Sequence, residues 1–112
     1  MVNLVDREFV DSILDFGGGD MLEELLEIFR DTVPPRLATL QQLACSEPEA
    51  TRRAAHSLRS SGSNIGAAGF AELARRIESE SENDQLPAAV EELVALYGET
   101  VEAFEALSAA VT

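Results

Sequence analysis

The stretch Ala54–Glu78, AAHSLRSSGSNIGAAGFAELARRIE, decides the fold. Ala54, Ala55 and Leu58, with Ser61, Gly62 and Ile65, recur at spacings of three, four and seven, one face of a helix. Ile65 and Gly66 mark a tight junction. Phe70, Leu73, Ala74 and Ile77 then begin a second stripe. Two amphipathic helices joined by so short a connection pack as antiparallel neighbours.

The pattern extends outward in both directions. Upstream, Val5, Phe9, Ile13 and Phe16 form a short leading stripe that Gly17-Gly18-Gly19 stops. Asp20 reads as an N-cap with Glu23 completing a capping box, and Leu22, Leu25, Leu26, Phe29 and Val33 make the face that follows. Pro34-Pro35 is expected to kink or split this helix, whose stripe resumes at Leu37, Leu40, Leu43 and Ala44. Ser46 or Glu47 caps the next helix, with Pro48 in its first turn. Downstream, Ser79 to Gln85 reads as a polar loop. Pro87 opens a last helix facing inward through Val90, Leu93, Val94, Tyr97, Val101, Phe104, Leu107 and Val111. No segment alternates as a strand would. The expected fold is all-α, an antiparallel up-down four-helix bundle with a short extra N-terminal helix. It forms one domain over residues 1–112, with no internal repeat.

Composition narrows the function. Asp and Glu number 21 against 8 Arg and no Lys, for a net charge of −13. Such acidity argues against nucleic acid or an anionic membrane surface as partner. One cysteine, Cys45, precludes an internal disulfide and a multi-cysteine zinc site, and reads as a small apolar filler. MVNLVDREF lacks a secretion signal's basic start and apolar run, and no apolar run is long enough to span a membrane, so a cytoplasmic protein is expected. The absence of lysine removes a Walker-type phosphate loop, so Gly17-Gly18-Gly19 is an interhelical turn. A single histidine cannot complete the paired Glu-x-x-His sites of metal-binding bundles.

Against this background the region around His56, the only histidine, differs. No acid lies between Ala50 and Ala71, and five of the eight arginines (Arg52, Arg53, Arg59, Arg75 and Arg76) fall between residues 52 and 76. His56 is two positions from Leu58, about 200° around the helix, and so faces away from the core. Arg52, Arg53, Arg59, Ser60 and Ser63 share its polar face. Imidazole is a nucleophile and proton carrier near neutral pH, and arginine's fork suits phosphate. A lone exposed histidine in a solvated arginine cluster is the bland alternative.

The same stretch resembles the histidine-containing phosphotransfer (HPt) domain family. The family pattern H-x-L-K-G-S-x-x-x-[LIV]-G-A reads here as His56-Ser57-Leu58-Arg59-Ser60-Ser61-Gly62-Ser63-Asn64-Ile65-Gly66-Ala67. The leading helix, the Gly-rich turn, the EIFRDTVPPRLATL segment and the Ser-Glu-Pro junction follow the family's layout. The resemblance implies that His56 is the phosphorylated residue and that Arg59 replaces the family's usual lysine beside the phosphoryl group. It also implies that Glu78 hydrogen-bonds the histidine ring. Ser60 stands where the family usually has glycine. The implied role is a phosphorelay intermediate between receiver-domain aspartates, without ATP-dependent kinase activity. Implied partners are response-regulator receiver domains, with a hybrid sensor kinase as a further candidate. Magnesium belongs to the receiver, and no cofactor is expected in this chain. Arg52, Arg53 and Ser63 would meet the partner, and the protein would be a monomer. The rival reading is a catalytically silent helical adaptor that binds a signalling partner by surface alone.

Overall fold

The structure, a computed structural model, describes residues 3–43, 47–80 and 86–111. They form four helices: α1 (Arg7–Leu43), α2 (Pro48–Ser63), α3 (Ala68–Ser79) and α4 (Leu86–Ala110). Ala44, Cys45 and Ser46, and residues 81–85 of the expected polar loop, lie outside the described residues.

Asp6 starts α1. Its side chain accepts a hydrogen bond from the Phe9 N–H at 3.1 Å and so caps the first turn. A straight helix of 37 residues would run about 55 Å. The longest dimension of the molecule is 44 Å, and α1 bends at Gly18, where φ is 72° and ψ is −169°. Only glycine adopts that conformation freely. The break therefore falls inside the glycine run, as expected. Asp20, however, lies within the helix and makes no side-chain cap, because one glycine residue accomplishes the turn before it is reached.

The leading arm of α1 covers one end of the bundle. The Asp6 N–H bonds the Gly66 carbonyl at 2.9 Å. Gly66 has φ of +85°, and a side chain there would stand 2.8 Å from the Phe9 ring. The arm buries Val10 and Ile13, while Phe9 is only half covered and Phe16 is 86% exposed. The inward stripe is thus displaced from the expected Phe9 and Phe16, since an arm lying across a bundle end covers a narrower face than a helix in a seam.

The second arm of α1 continues through Pro34 and Pro35 with helical dihedrals, so the expected kink or split does not occur. Both prolines are exposed, flanked by buried Val33 and Leu37. The carbonyls deprived of an N–H partner therefore face the solvent side, where water can bond them.

Cross-helix pairs set the directions. Thr51, buried in the first turn of α2, donates its hydroxyl toward the Leu43 and Glu47 carbonyls at 3.0 and 2.7 Å. Arg36 donates to Ser61 at 3.1 Å. Arg30 meets Glu105 at 2.9 Å, and Gln41 meets Glu91 at 3.0 Å. In each set one residue number rises as the other falls, so α1 runs antiparallel to α2 and to α4. Each helix lies against its neighbours in chain order, α4 closing the ring on α1. Short connections and apolar stripes give this up-down arrangement.

The core is mostly aliphatic, with Phe29, Phe70, Phe104 and the partly buried Tyr97 as its rings, three of which meet. Phe29 of α1 meets Phe70 of α3 edge-on at 5.5 Å and Tyr97 of α4 at 5.6 Å. Burial pushes the Tyr97 phenol above its ordinary pKa. In α4 the face differs from expectation at its far end. Val111 is exposed, whereas Thr100 and Ser108 are buried. The Thr100 hydroxyl bonds the Leu96 carbonyl one turn back at 2.6 Å, which satisfies it inside the helix and permits burial. At the other junction α3 extends through Ser79, one residue into the expected loop.

Replacing Phe70 by Ala is expected to cost about 3–5 kcal/mol in urea unfolding, because the ring is fully buried where three helices meet. Replacing the exposed Phe16 by Ala should stay within about 0.5 kcal/mol of wild type. Equal losses would contradict the packing described.

Candidate functional site

His56 lies near the middle of α2, between fully buried Ala55 and half-buried Ser57. Leu58 takes the core position, and the His56 side chain is left 56% exposed. Gly62, farther along α2, controls how near α3 can come. A side chain at Gly62 would lie 3.0 Å from the Phe70 ring and 3.2 Å from Ala71. Glycine there lets the two backbones close, and the antiparallel register then sets residue 78 opposite residue 56.

The result is a triangle across the α2–α3 seam. His56 Nδ1 lies 2.6 Å from Glu78 Oε2. Glu78 Oε1 lies 3.0 Å from Arg59 Nη1. Arg59 Nη2 lies 3.1 Å from His56 Nδ1. The Glu78 side chain is 17% exposed, so its carboxylate works in a partly shielded place. A nitrogen this close to a carboxylate oxygen is a donor. The partner therefore assigns the ring hydrogen to Nδ1 and leaves the lone pair on Nε2. Nε2 makes no hydrogen bond to any described residue, and the ring is open to an approaching molecule. A neutral imidazole oriented this way presents a nucleophile with its tautomer held from behind.

The other candidate residues are dispersed around this triangle. Arg52 turns back to Glu49, 3.1 Å away in the first turn of α2. Arg53, Ser60 and Ser63 are exposed, with no side-chain hydrogen bond to a described residue. On α3, Arg75 grips Glu72 with two hydrogen bonds of 3.0 and 2.7 Å. That hydrogen bond holds the Glu72 carboxyl below its ordinary pKa and raises that of Arg75.

The stretch that is free of acids in sequence is therefore not free of them in space. Glu49, Glu72 and Glu78 engage Arg52, Arg75 and Arg59, three of the five clustered arginines. Two of these pairs are spaced i,i+3 on a helix and could have been found from sequence. Arg59–Glu78 depends on the α2–α3 register and could not.

Among the described residues no three His, Cys, Asp or Glu side chains converge as metal ligands would, and no helix is long and apolar enough to cross a membrane.

Comparison with known proteins agrees with the geometry. The Hpt domain model matches residues 24–110, a span that contains His56, Arg59 and Glu78. The fold is similar to the crystal structure of histidine-containing phosphotransfer protein B (HptB) from Pseudomonas aeruginosa PAO1, with a TM-score of 0.85 over 97% of each chain at 22% identity. No curated protein matches the sequence. A helical bundle that presents a single oriented imidazole within a region matching this family leaves one conclusion: the chain belongs to the Hpt domain family, and its function is histidine phosphotransfer in a two-component phosphorelay.

Proposed function

We propose that His56 carries the phosphoryl group, and that Nε2 is the nitrogen that takes it. The supporting observation is the 2.6 Å contact between Nδ1 and Glu78, which leaves the exposed Nε2 as the ring's lone-pair nitrogen. The Nε2 lone pair attacks the phosphorus of an aspartyl phosphate on a receiver domain. The Nε2–P bond forms as the bond from phosphorus to the aspartyl oxygen breaks, and that electron pair leaves with the aspartate. No proton is released. The ring keeps its Nδ1 hydrogen and becomes cationic, and Glu78 stabilises the charge that develops there. The reverse step returns the phosphoryl group to a second receiver aspartate.

The protein is then a relay intermediate that neither binds ATP nor phosphorylates itself. The acceptor aspartate and the magnesium beside it belong to the receiver. Arg53 and Ser63, on the exposed face of α2, would meet that receiver, and Arg52 could exchange Glu49 for an acidic residue of the partner. The working form would be a cytoplasmic monomer.

With labelled phosphate on a panel of receiver domains, wild type should gain acid-labile label and His56→Gln should gain none while keeping its helical spectrum. Label retained in His56→Gln would refute the assignment. A folded wild type that no receiver labels would favour a silent adaptor.

Glu78→Gln should slow transfer by about tenfold to a hundredfold, because a neutral amide supports the cationic ring poorly. An unchanged single-turnover rate would leave Glu78 without a part in the reaction.

Ser60 stands one turn beyond His56 on the exposed face, where an incoming domain must approach. Ser60→Gly should speed transfer while lowering stability by about 0.5–1 kcal/mol, since glycine is the poorer helix residue. A slower Gly variant, matched by Ser60→Ala, would instead mark the hydroxyl as a donor to the phosphoryl group.

A further inference from the structure

We propose that the leading arm of α1 is exchangeable between molecules. When Gly18 straightens, the arm leaves its own bundle and takes the same seat on a second copy of this chain, giving an arm-swapped dimer. The inference is independent of the reading of His56.

One residue joins the arm to the rest of α1. Gly18 alone in this helix departs from helical dihedrals, in a region that only glycine enters freely. A methyl group added at Gly18 would meet no atom within 4 Å, so nothing is packed against the bend itself. Rotating this residue to helical values would turn residues 7–43 into one rod of about 55 Å and carry the arm away from its own bundle. The seat it would leave is defined by two glycines of the α2–α3 segment. The Asp6 N–H bonds the Gly66 carbonyl, and Phe9 lies against Gly66. At Gly69 a side chain would stand 3.2 Å from the Asn3 carbonyl oxygen and 3.4 Å from the Leu4 Cα. Val10 and Ile13 are buried behind this contact, and an undocked arm would return both to water. A second copy offers the identical seat, and a hinge of one residue is the short connection from which such exchange arises. Two terms oppose it. Each chain carries a charge of −13, and three successive glycines make a poor helix interior. The monomer therefore prevails in dilute solution, and the dimer gains with concentration and salt. His56, Arg59 and Glu78 all lie outside the arm, so a swapped dimer keeps each triangle within one chain and carries two of them.

Gly18→Ala tests this, because its methyl group enters open space and acts on the dihedrals alone. Light scattering on the whole protein, with reductant present to keep Cys45 from forming a disulfide, should show a dimer that dissociates about a thousandfold less readily than that of wild type. Alanine disfavours the bend and favours the straight helix in both chains. Dimer refolded from equal parts of 13C-labelled and unlabelled chains should show nuclear Overhauser contacts from the Phe9 ring of one chain to Gly66 of the other. A Gly18→Ala protein that stays monomeric at millimolar concentration, or a dimer whose Phe9–Gly66 contacts are all within one chain, would overturn the proposal. Should Gly18→Ala fail to fold, wild type refolded at millimolar concentration in high salt must give the same contact between chains, and its absence there would be equally decisive against exchange.

Discussion

The close approach of α2 and α3 at Gly62 is the constraint on which the site depends. A side chain there would press on the Phe70 ring and Ala71, and the helices would have to separate. The hydrogen bond between Glu78 and His56 spans the same seam and is 2.6 Å long, so it has little tolerance for such a shift. The core on one side of the seam and the imidazole on the other are thus set by one packing decision. Phe70 links them directly, since it touches the position of Gly62 and also joins the central cluster with Phe29 and Tyr97.

Electrostatics divide the same region more finely than net charge suggests. A chain of charge −13 concentrates its arginines around one histidine, yet folding returns a carboxylate to three of them. Pairs such as Arg52–Glu49 and Arg75–Glu72 are exposed and worth little to stability. Arg59–Glu78 differs because its carboxylate is largely covered and is shared with the ring.

Most of the bundle was legible in the sequence because its helices bury a stripe and expose the rest. The apolar positions expected on the faces of α2 and α3 and in the middle of α4 all turn inward, fully or in part. Features governed by surroundings were not legible. Pro34 and Pro35 leave α1 intact because they face solvent, which composition alone does not reveal. Thr51 and Thr100 are buried because each hydroxyl finds a backbone carbonyl, a local bond that hydrophobicity patterns overlook. Phe16 is exposed because the leading arm lies across an end of the bundle. At the site, His56 stood out by its isolation and its polar face. Glu78 came only from family resemblance, and the threefold contact with Arg59 required the register of two helices.

The central claim is that Glu78 holds Nδ1 so that Nε2 receives the phosphoryl group. Nitrogen-15 and phosphorus-31 spectra of the phosphorylated, ring-labelled protein test it most directly, because they distinguish the two phosphohistidine isomers. The account predicts phosphorus bonded to Nε2 of His56, with a hydrogen retained on Nδ1. Phosphorus on Nδ1, or on any residue other than His56, would contradict it.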